Sequence, residues 1–226
     1  MIKQGIFIVI DGTDGSGKGT QTALIIERLA TEGRKVKMVD FPQYGNGSAW
    51  FVEKYLRGEY GSADEVGPYK ASLFYALDRF DKATEIRQWL AEGWVVIANR
   101  YVSSNIGHQA GKIADPVERQ KFLTWLLDLE FGMLNIPKPD AVIILFMPPA
   151  VGQKLVDQKS AREYTQGKKR DIHEADLQHL EKASQAYLEV AKQYGWTVID
   201  CADGDRPKPI PDIHEQISIV IKKLLS

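Results

Sequence analysis

The chain has 226 residues, a formal net charge of −1 and a single cysteine, Cys201. A nearly balanced charge argues against a general nucleic-acid binder, because such proteins carry a basic excess, and one cysteine excludes an internal disulfide framework. The N-terminal apolar run is too short for a signal-peptide core, and the longest later run, residues 141–151, is too short for a membrane span. With no linker rich in proline, glycine or serine, residues 1–226 are predicted to form one soluble, cytoplasmic domain.

The first predicted element is a β-strand, residues 6–10, that runs into a glycine-rich turn and then into a helix. Gly12 and Gly17-Lys18 have the Gly-x-x-x-x-Gly-Lys spacing of a P-loop. Main-chain N–H groups can converge on a phosphate where no Cβ obstructs them, and the following helix points its positive end at the same place. We therefore predict a triphosphate cradle. Its members are Gly12, Thr13, Asp14, Gly15, Ser16, Gly17, Lys18, Gly19 and Thr20.

Side chains complete this cradle. Lys18 supplies a mobile cation for the β- and γ-phosphates, and Ser16 or Thr20 offers a hydroxyl. Gly19 occupies the position from which a serine or threonine usually reaches magnesium, and Thr20 lies about 100° further round the helix. The spacing predicts phosphate binding and leaves the magnesium ligands open.

A glycine junction recurs at Glu32-Gly33, Glu92-Gly93 and Tyr194-Gly195, and a β-branched run follows each one. This pattern indicates a helix that ends on glycine before a strand. Five short, nearly all-apolar strands are predicted, at residues 6–10, 36–41, 94–98, 141–146 and 196–199. Such strands favour a parallel sheet with helices on both faces. We therefore predict a three-layer α/β fold around a five-stranded parallel sheet.

Helices are predicted between these strands. Pro68 is expected to begin a long helix that carries residues 73–79. Asp115-Pro116 is typical of an N-cap followed by proline at the first helical position. Apolar stripes indicate two further helices, at residues 177–194 and 213–225.

Polar and aromatic side chains follow the second and third predicted strands, where ligands gather in an open parallel sheet. Residues 41–45 are Phe-Pro-Gln-Tyr-Gly, and residues 99–105 are Asn-Arg-Tyr-Val-Ser-Ser-Asn. An arginine directly after a strand, near the cradle, can donate two parallel hydrogen bonds to a second phosphate, and a planar ring beside it can stack on a nucleotide base. The grouping predicts a pocket for a nucleoside monophosphate.

Five ordered stretches make the chain resemble the thymidylate kinases across nearly its whole length. They are residues 11–18, 41–45, 74–79, 99–105 and the lid-like 168–174, which read DGTDGSGK, FPQYG, FYALDR, NRYVSSN and KKRDIHE. The resemblance implies the P-loop NTPase fold, a homodimer, and transfer of the γ-phosphoryl group of ATP to dTMP, which gives ADP and dTDP. It also implies that Mg²⁺ accompanies ATP in the cradle.

The resemblance assigns the acceptor nucleotide to side chains from several elements. Tyr75 takes the position of the ring that stacks on thymine, and Asn105 that of the polar contact to the base edge. Arg79 and Arg100 match the pair that holds the acceptor phosphate and base, and Asp14 meets the sugar 3′-hydroxyl or the magnesium shell. The implied substrate-binding residues are Asp14, Phe41, Tyr44, Tyr75, Arg79, Arg100, Asn105 and His108.

A basic stretch at about residues 159–174 resembles the closing lid of the family, and closure would exclude water. The family takes its catalytic arginine from the P-loop or from the lid. Because Gly15 stands at the P-loop position, the resemblance leaves Arg162 and Arg170 as candidates. Asp14 and Glu174 are the implied metal contacts. The implied catalytic residues are Lys18, Arg79, Asn99, Arg100, Arg162 and Arg170.

Two positions depart from the family pattern. Asn99 stands where an aspartate usually precedes the Arg-Tyr pair, and Gln43 replaces a frequent arginine. Either activity is reduced, or another carboxylate such as Asp11 or Asp14 compensates. Phosphoryl transfer depends mainly on positioning and electrostatics, so neither change alone predicts a dead enzyme. From the sequence, Asn99→Asp is expected to preserve or raise activity.

Two alternatives remain open at this point. The run from Gly17 to Gln21 is also similar to that of adenylate kinases, so another nucleoside monophosphate kinase is the nearest competing function. Asn99 motivates a second alternative, a non-catalytic regulator that binds ATP.

Overall fold

A computed structural model describes residues 5–157 and 177–226. Its central sheet has five strands: β1 (Ile6–Gly12), β2 (Val36–Asp40), β3 (Val95–Asn99), β4 (Ala141–Phe146) and β5 (Thr197–Asp200). The strands are all parallel and lie in the order β2-β3-β1-β4-β5. The predicted five-stranded parallel sheet is confirmed.

The helices lie between and after these strands. They are α1 (Lys18–Thr31), α2 (Trp50–Leu56), α3 (Ala63–Ala91), α4 (Val102–Asn105), α5 (Pro116–Leu127), α6 (Pro149–Asp157), α7 (Leu177–Tyr194) and α8 (Ile210–Leu225). A 3₁₀ turn, Gly47–Ala49, precedes α2, and π-helical segments, Ile106–Ala110 and Asp128–Met133, continue α4 and α5. Two short antiparallel strands, β6 (Ala202–Asp203) and β7 (Arg206–Pro207), form a hairpin that the sequence pattern did not predict.

Apolar clusters pack on both faces of the sheet. Because side chains alternate along a strand, β1 sends Phe7 and Val9 to one face and Ile8 and Ile10 to the other. Side chains from α3, α5 and α7 cover the first face, and side chains from α1 and α8 cover the second. The core therefore has the predicted three layers. Cys201 is fully buried in the second cluster.

Three helices end at the predicted glycine junctions. Gly33, Gly93 and Gly195 follow α1, α3 and α7, and their φ angles are 76°, 80° and 68°. This left-handed conformation costs glycine little and closes the last helical turn. The three helix-to-strand boundaries are therefore set by local backbone chemistry, as the sequence indicated.

The long helix α3 begins earlier than Pro68. Ser62 and Glu65 form a capping box in which each side chain bonds the other's backbone N–H, so the helix starts at Ala63. Gly67, with φ 75° and ψ 167°, then interrupts the helical path directly before Pro68. The predicted start is therefore the start of the second part of α3.

Across residues 5–157 and 177–226, none of the helices combines the length and the apolar character that a membrane crossing requires.

Candidate active site

The P-loop joins β1 to α1 and packs against the end of β4. Thr13 Oγ1 donates to Met147 O at 2.8 Å and accepts from Met147 N at 2.7 Å. At Gly12 a Cβ would lie 2.0 Å from a carbonyl oxygen of β4. At Gly17 or Gly19, by contrast, a Cβ would meet no atom within 4 Å. The turn is thus fixed on its inner side and open on the side from which α1 starts.

Gly15 explains why this P-loop carries no arginine. Its φ is 77°, and a Cβ there would lie 2.3 Å from Gly152 O on α6. Backbone atoms cannot move aside as the end of a flexible side chain can, so a side chain at this position would displace α6 or the turn. The alternative candidates, Arg162 and Arg170, lie outside the described residues, as do Glu174 and the rest of the predicted lid.

Lys18 is folded back over the turn. Its Nζ donates to Gly12 O at 3.0 Å and to Thr13 O at 2.8 Å, and it lies 3.7 Å from Asp14 Oδ1. The side chain is only 8% exposed. Because an ammonium on a flexible stem has three rotatable donors, it can exchange these carbonyl oxygens for phosphate oxygens.

Arg100 connects the end of β3 to the P-loop. Its Nη2 lies 2.6 Å from Asp14 Oδ1, and its Nη1 lies 3.3 Å from Ser104 Oγ. Burial alone would raise the pKa of Asp14, but Arg100 and Lys18 outweigh it and hold this pKa well below its usual value. The backbone of Arg100 has φ 65°, a conformation that few side chains adopt outside functional sites. Three of the predicted residues, Lys18, Asp14 and Arg100, therefore converge.

The fully buried carboxylate of Asp11 forms hydrogen bonds with the side chains that surround Arg100. It accepts from Ser103 Oγ at 2.5 Å, from Ser104 Oγ at 2.9 Å and from Tyr187 Oη at 3.1 Å. Its Oδ1 also lies 3.9 Å from Arg100 Nη1. Asp11 is thus occupied by protein donors and holds the side chains around Arg100 in place.

Arg79 lies in a second cluster, 2% exposed. Its Nε donates to Glu130 Oε2 at 3.0 Å, and its Nη2 pairs with Glu130 Oε1 in a bidentate ion pair. Asn105 Nδ2 lies 3.4 Å from the same carboxylate, and Arg79 Nη1 lies 3.4 Å from Tyr101 O. The structure therefore brings Arg79 and Asn105 together on a carboxylate that the sequence analysis did not single out. Their contacts with a nucleotide stay predictions.

Removing Glu130 should strongly destabilise the fold. Glu130→Ala leaves the Arg79 guanidinium buried without its partner, and we expect a loss of about 3–5 kcal/mol in the free energy of unfolding, measured by urea denaturation. The matched control is Glu189→Ala, which removes the 62% exposed partner of Arg119 and should cost less than about 1 kcal/mol. Equal stability of the two variants would contradict this role of Glu130.

His108 lines a small pocket that opens beside the P-loop. The walls of this pocket include Thr13, Asp14 and Tyr187. His108 Nδ1 lies 3.3 Å from His179 Nε2 on α7. Burial lowers the pKa of His108 to about 3, so the ring is neutral at neutral pH. The structure places His108 beside Asp14, and its predicted contact with a sugar stays a prediction.

The three predicted aromatic contacts lie in different environments. Tyr75 is partly buried and meets Tyr55 edge-on, with ring centroids 6.3 Å apart. Phe41 is 2% exposed and packs 5.6 Å from the ring of Tyr101 in the core, whereas Tyr44 is 40% exposed. Tyr75 is thus held by a neighbouring ring, and the nucleotide contacts of all three remain predictions.

Gln43 and Asn99, the two residues that depart from the family pattern, each form hydrogen bonds with an aspartate. Gln43 donates from its backbone N to Asp78 Oδ2 at 3.0 Å and from Nε2 to Asp78 O at 2.9 Å. Asn99 donates from Nδ2 to Asp40 Oδ1 at 2.8 Å. Each of the two amides therefore lies beside a carboxylate that the sequence analysis passed over.

Comparison with known proteins identifies the family to which this fold and this P-loop belong. The family model described as Thymidylate kinase matches residues 10–217. A thymidylate kinase of Mycobacterium tuberculosis is 33% identical over 196 residues, which cover 84% of this chain and 87% of that protein. A thymidylate kinase of Plasmodium falciparum is 28% identical over 222 residues, 98% of this chain and 92% of that protein.

The solved structure of thymidylate kinase from Candida albicans superposes with a TM-score of 0.69 over 97% of this chain and 92% of that one. At 22% identity this likeness shows that the two proteins share a fold. The match to the family model covers far more than half of the chain, and the mycobacterial relative exceeds 30% identity. The chain belongs to the thymidylate kinase family.

Proposed function

We propose that the protein is a thymidylate kinase, which transfers the γ-phosphoryl group of ATP to dTMP and releases ADP and dTDP. The observation that carries the proposal is the 2.6 Å contact between Arg100, at the end of β3, and Asp14, in the P-loop. A guanidinium in this position lies beside the cradle for ATP and has further donors for the phosphate of an acceptor.

The chemistry in this site depends on positioning and charge. An oxygen of the acceptor phosphate attacks the γ-phosphorus, and the bond between that phosphorus and the leaving oxygen of ADP breaks. Lys18 stabilises the charge on the β- and γ-phosphates, and Arg100 holds the acceptor phosphate in line. Because both side chains are largely screened from water, their charges act more strongly than they would at the surface.

Mg²⁺ fits the P-loop as the companion of the ATP phosphates. It is usually held by one or two carboxylates together with substrate phosphates and water. The low pKa keeps Asp14 ionised, and Ser16 Oγ is buried without a hydrogen-bond partner in the part of the chain that the structure describes. These two groups would hold the ion, which when bound spreads the charge of the transferring group. Glu174 remains a further candidate.

The acceptor base is assigned to Tyr75, Arg79 and Asn105. The ring of Tyr75 can stack on a pyrimidine, and Asn105 offers an amide to the base edge. Glu130 compensates the charge of Arg79, which suits contact with a neutral base better than contact with a phosphate dianion. In this assignment Arg100 takes the acceptor phosphate, and Phe41, Tyr44 and His108 complete the pocket.

A coupled assay of ADP formation against a panel of monophosphates tests the proposal. We expect turnover with dTMP to exceed turnover with AMP and CMP by orders of magnitude, with dUMP measured alongside. The comparisons favour this function over another nucleoside monophosphate kinase and over a non-catalytic regulator. Preference for AMP would support the first alternative, and binding of ATP without ADP formation would support the second.

We also propose that the protein is a homodimer that pairs through α3. Tyr69, Leu73, Leu77 and Phe80 recur every three or four residues on this helix and are 40–49% exposed. A second copy of the chain would cover this apolar stripe. Leu77→Glu should convert the dimer to a monomer in sedimentation velocity, while Asp205→Lys, in the exposed β6–β7 turn outside α3, should leave it dimeric. A monomeric wild-type protein would contradict the proposal.

Three further proposals complete this account. Residues 1–226 form a single kinase domain, and residues 159–174 serve as its lid, with Arg162 and Arg170 supplying charge to the transferring group.

The enzyme works in the cytoplasm on free nucleotides. The free, buried thiol of Cys201 is compatible with a reducing compartment.

A further inference from the structure

Asp40 and Asn99 end two neighbouring strands at the edge of the sheet that carries the site. They are register partners in the β2–β3 pairing, and Asn99 is also the partner of Ile10, directly before Asp11 and the P-loop. Asn99 Nδ2 donates to Asp40 Oδ1 at 2.8 Å. The two side chains therefore form one hydrogen-bonded unit beside Arg100.

The orientation of the amide follows from its partner. An ionised carboxylate can only accept hydrogen bonds, so the nitrogen of Asn99 must face Asp40 and the oxygen must face away. Asn99 Oδ1 is buried and has no hydrogen-bond partner in residues 5–157 and 177–226. A buried acceptor without a donor is costly, which indicates that a bound water or ligand supplies the donor.

Among the described residues, the two carboxylates Asp11 and Asp14 in the P-loop region already have protein partners. Asp11 accepts from three side-chain hydroxyls, and Asp14 is held by Arg100 and Lys18. Asp40, in contrast, is reached by solvent. The protein around it raises the pKa of its carboxyl, and Asn99, Arg100 and Lys18 offset part of that rise. Asp40 is therefore within electrostatic reach of both catalytic cations.

We propose that Asp40 supplies, through Asn99, the negative charge that the Asn99 position itself lacks. In this unit Asp40 polarises the amide, and Asn99 Oδ1 accepts a hydrogen bond from an ordered water beside the reacting phosphates. The water comes either from bulk solvent or from the hydration shell of the cation that accompanies ATP. Asp40 is a positioning residue in this scheme, since it acts through Asn99. The inference rests on the proposed kinase function.

The sequence alone led us to expect that Asn99→Asp preserves or raises activity. The Asp40–Asn99 hydrogen bond predicts the opposite. In that variant two carboxylates would lie within hydrogen-bond distance, and one of them would take up a proton or turn away. The amide donor to Asp40 would also be lost. We therefore expect the single variant to lose activity, although it introduces the residue type that the family pattern favours.

A charge-swap cycle tests the inference. Asp40→Asn keeps an acceptor for Asn99 Nδ2 but removes the charge, and we expect kcat for dTMP to fall about 10–100-fold while KM for ATP stays within about twofold. Asn99→Asp should lose a comparable factor. The double variant, Asp40→Asn with Asn99→Asp, exchanges the two groups and should recover most of the lost kcat.

Controls separate this result from misfolding and from failure of the proposed function. Asp205→Asn removes an exposed carboxylate from the β6–β7 turn and should leave kcat unchanged, and thermal denaturation reports the fold of every variant. An inactive wild-type protein would overturn the proposed function. An active wild type with unchanged kcat in Asp40→Asn, or a double variant no better than the poorer single one, would overturn the Asp40–Asn99 unit alone.

Binding of a non-hydrolysable ATP analogue, titrated with Mg²⁺ in the presence of dTMP, identifies the source of the water. If the water belongs to the cation, Asp40→Asn should raise the Mg²⁺ concentration needed for half-maximal binding. If it comes from bulk solvent, this requirement should stay unchanged while kcat falls. No change in either quantity would overturn the inference.

Discussion

Replacing Lys18 with alanine is expected to lower kcat by about 10³-fold. Its Nζ donates hydrogen bonds to the carbonyl oxygens of Gly12 and Thr13 in the P-loop, where the β- and γ-phosphates would bind. No water-exposed lysine can replace a cation in this buried position, and loss of charge stabilisation in the transition state lowers kcat rather than KM alone. Steady-state kinetics with ATP and dTMP measure the effect.

The matched control is Lys192→Ala, which removes an exposed lysine from the last turn of α7. Circular dichroism and thermal denaturation should show that both variants remain folded. If Lys18→Ala kept near-normal turnover while folded, the role assigned to Lys18 would be refuted.

Arg100→Lys should lower kcat/KM for dTMP by about 10²-fold, although the positive charge is kept. One planar guanidinium contacts Asp14 and Ser104 and still has donors for a phosphate, whereas an ammonium cannot form this fork. Most of the loss should appear in KM for dTMP, because the acceptor phosphate loses its contact. Initial rates at varied dTMP and saturating ATP measure the split.

Arg119→Lys provides the comparison, since Arg119 forms an exposed pair with Glu189 away from the P-loop. It should leave both kinetic constants unchanged. An Arg100→Lys enzyme with a normal KM for dTMP would show that Arg100 does not hold the acceptor.

The parts of the molecule that depend on local chemistry could be predicted from the sequence. The P-loop is defined by spacing within a few residues, and the glycines after α1, α3 and α7 mark helix ends by their backbone freedom alone. The five parallel strands and the three layers followed from the apolar runs, whereas the order of the strands in the sheet did not. The capping box at Ser62 and Glu65 is an equally local signal for the start of α3, whereas Pro68 marks only the start of its second part.

Pairings between distant segments could not be predicted in the same way. Arg79 and Glu130 are 51 positions apart, and Asp40 and Asn99 are 59 apart. Only packing of the π-helical segment Asp128–Met133 against α3, and pairing of β2 with β3, bring these groups together. The sequence does carry one signal that Glu130 is buried. Glu130 continues the four-residue spacing of the buried Phe122 and Leu126, which puts a carboxylate on an apolar stripe. A charged residue at such a position requires a buried partner.

The central claim is that two nucleotides meet end to end, with the donor on the P-loop and the acceptor on Arg100. A compound in which adenosine and thymidine are joined through five phosphates tests this claim by isothermal titration calorimetry. We predict that it binds once per chain and that its binding prevents binding of both ATP and dTMP. A compound that displaced one nucleotide and left the affinity for the other unchanged would contradict the claim.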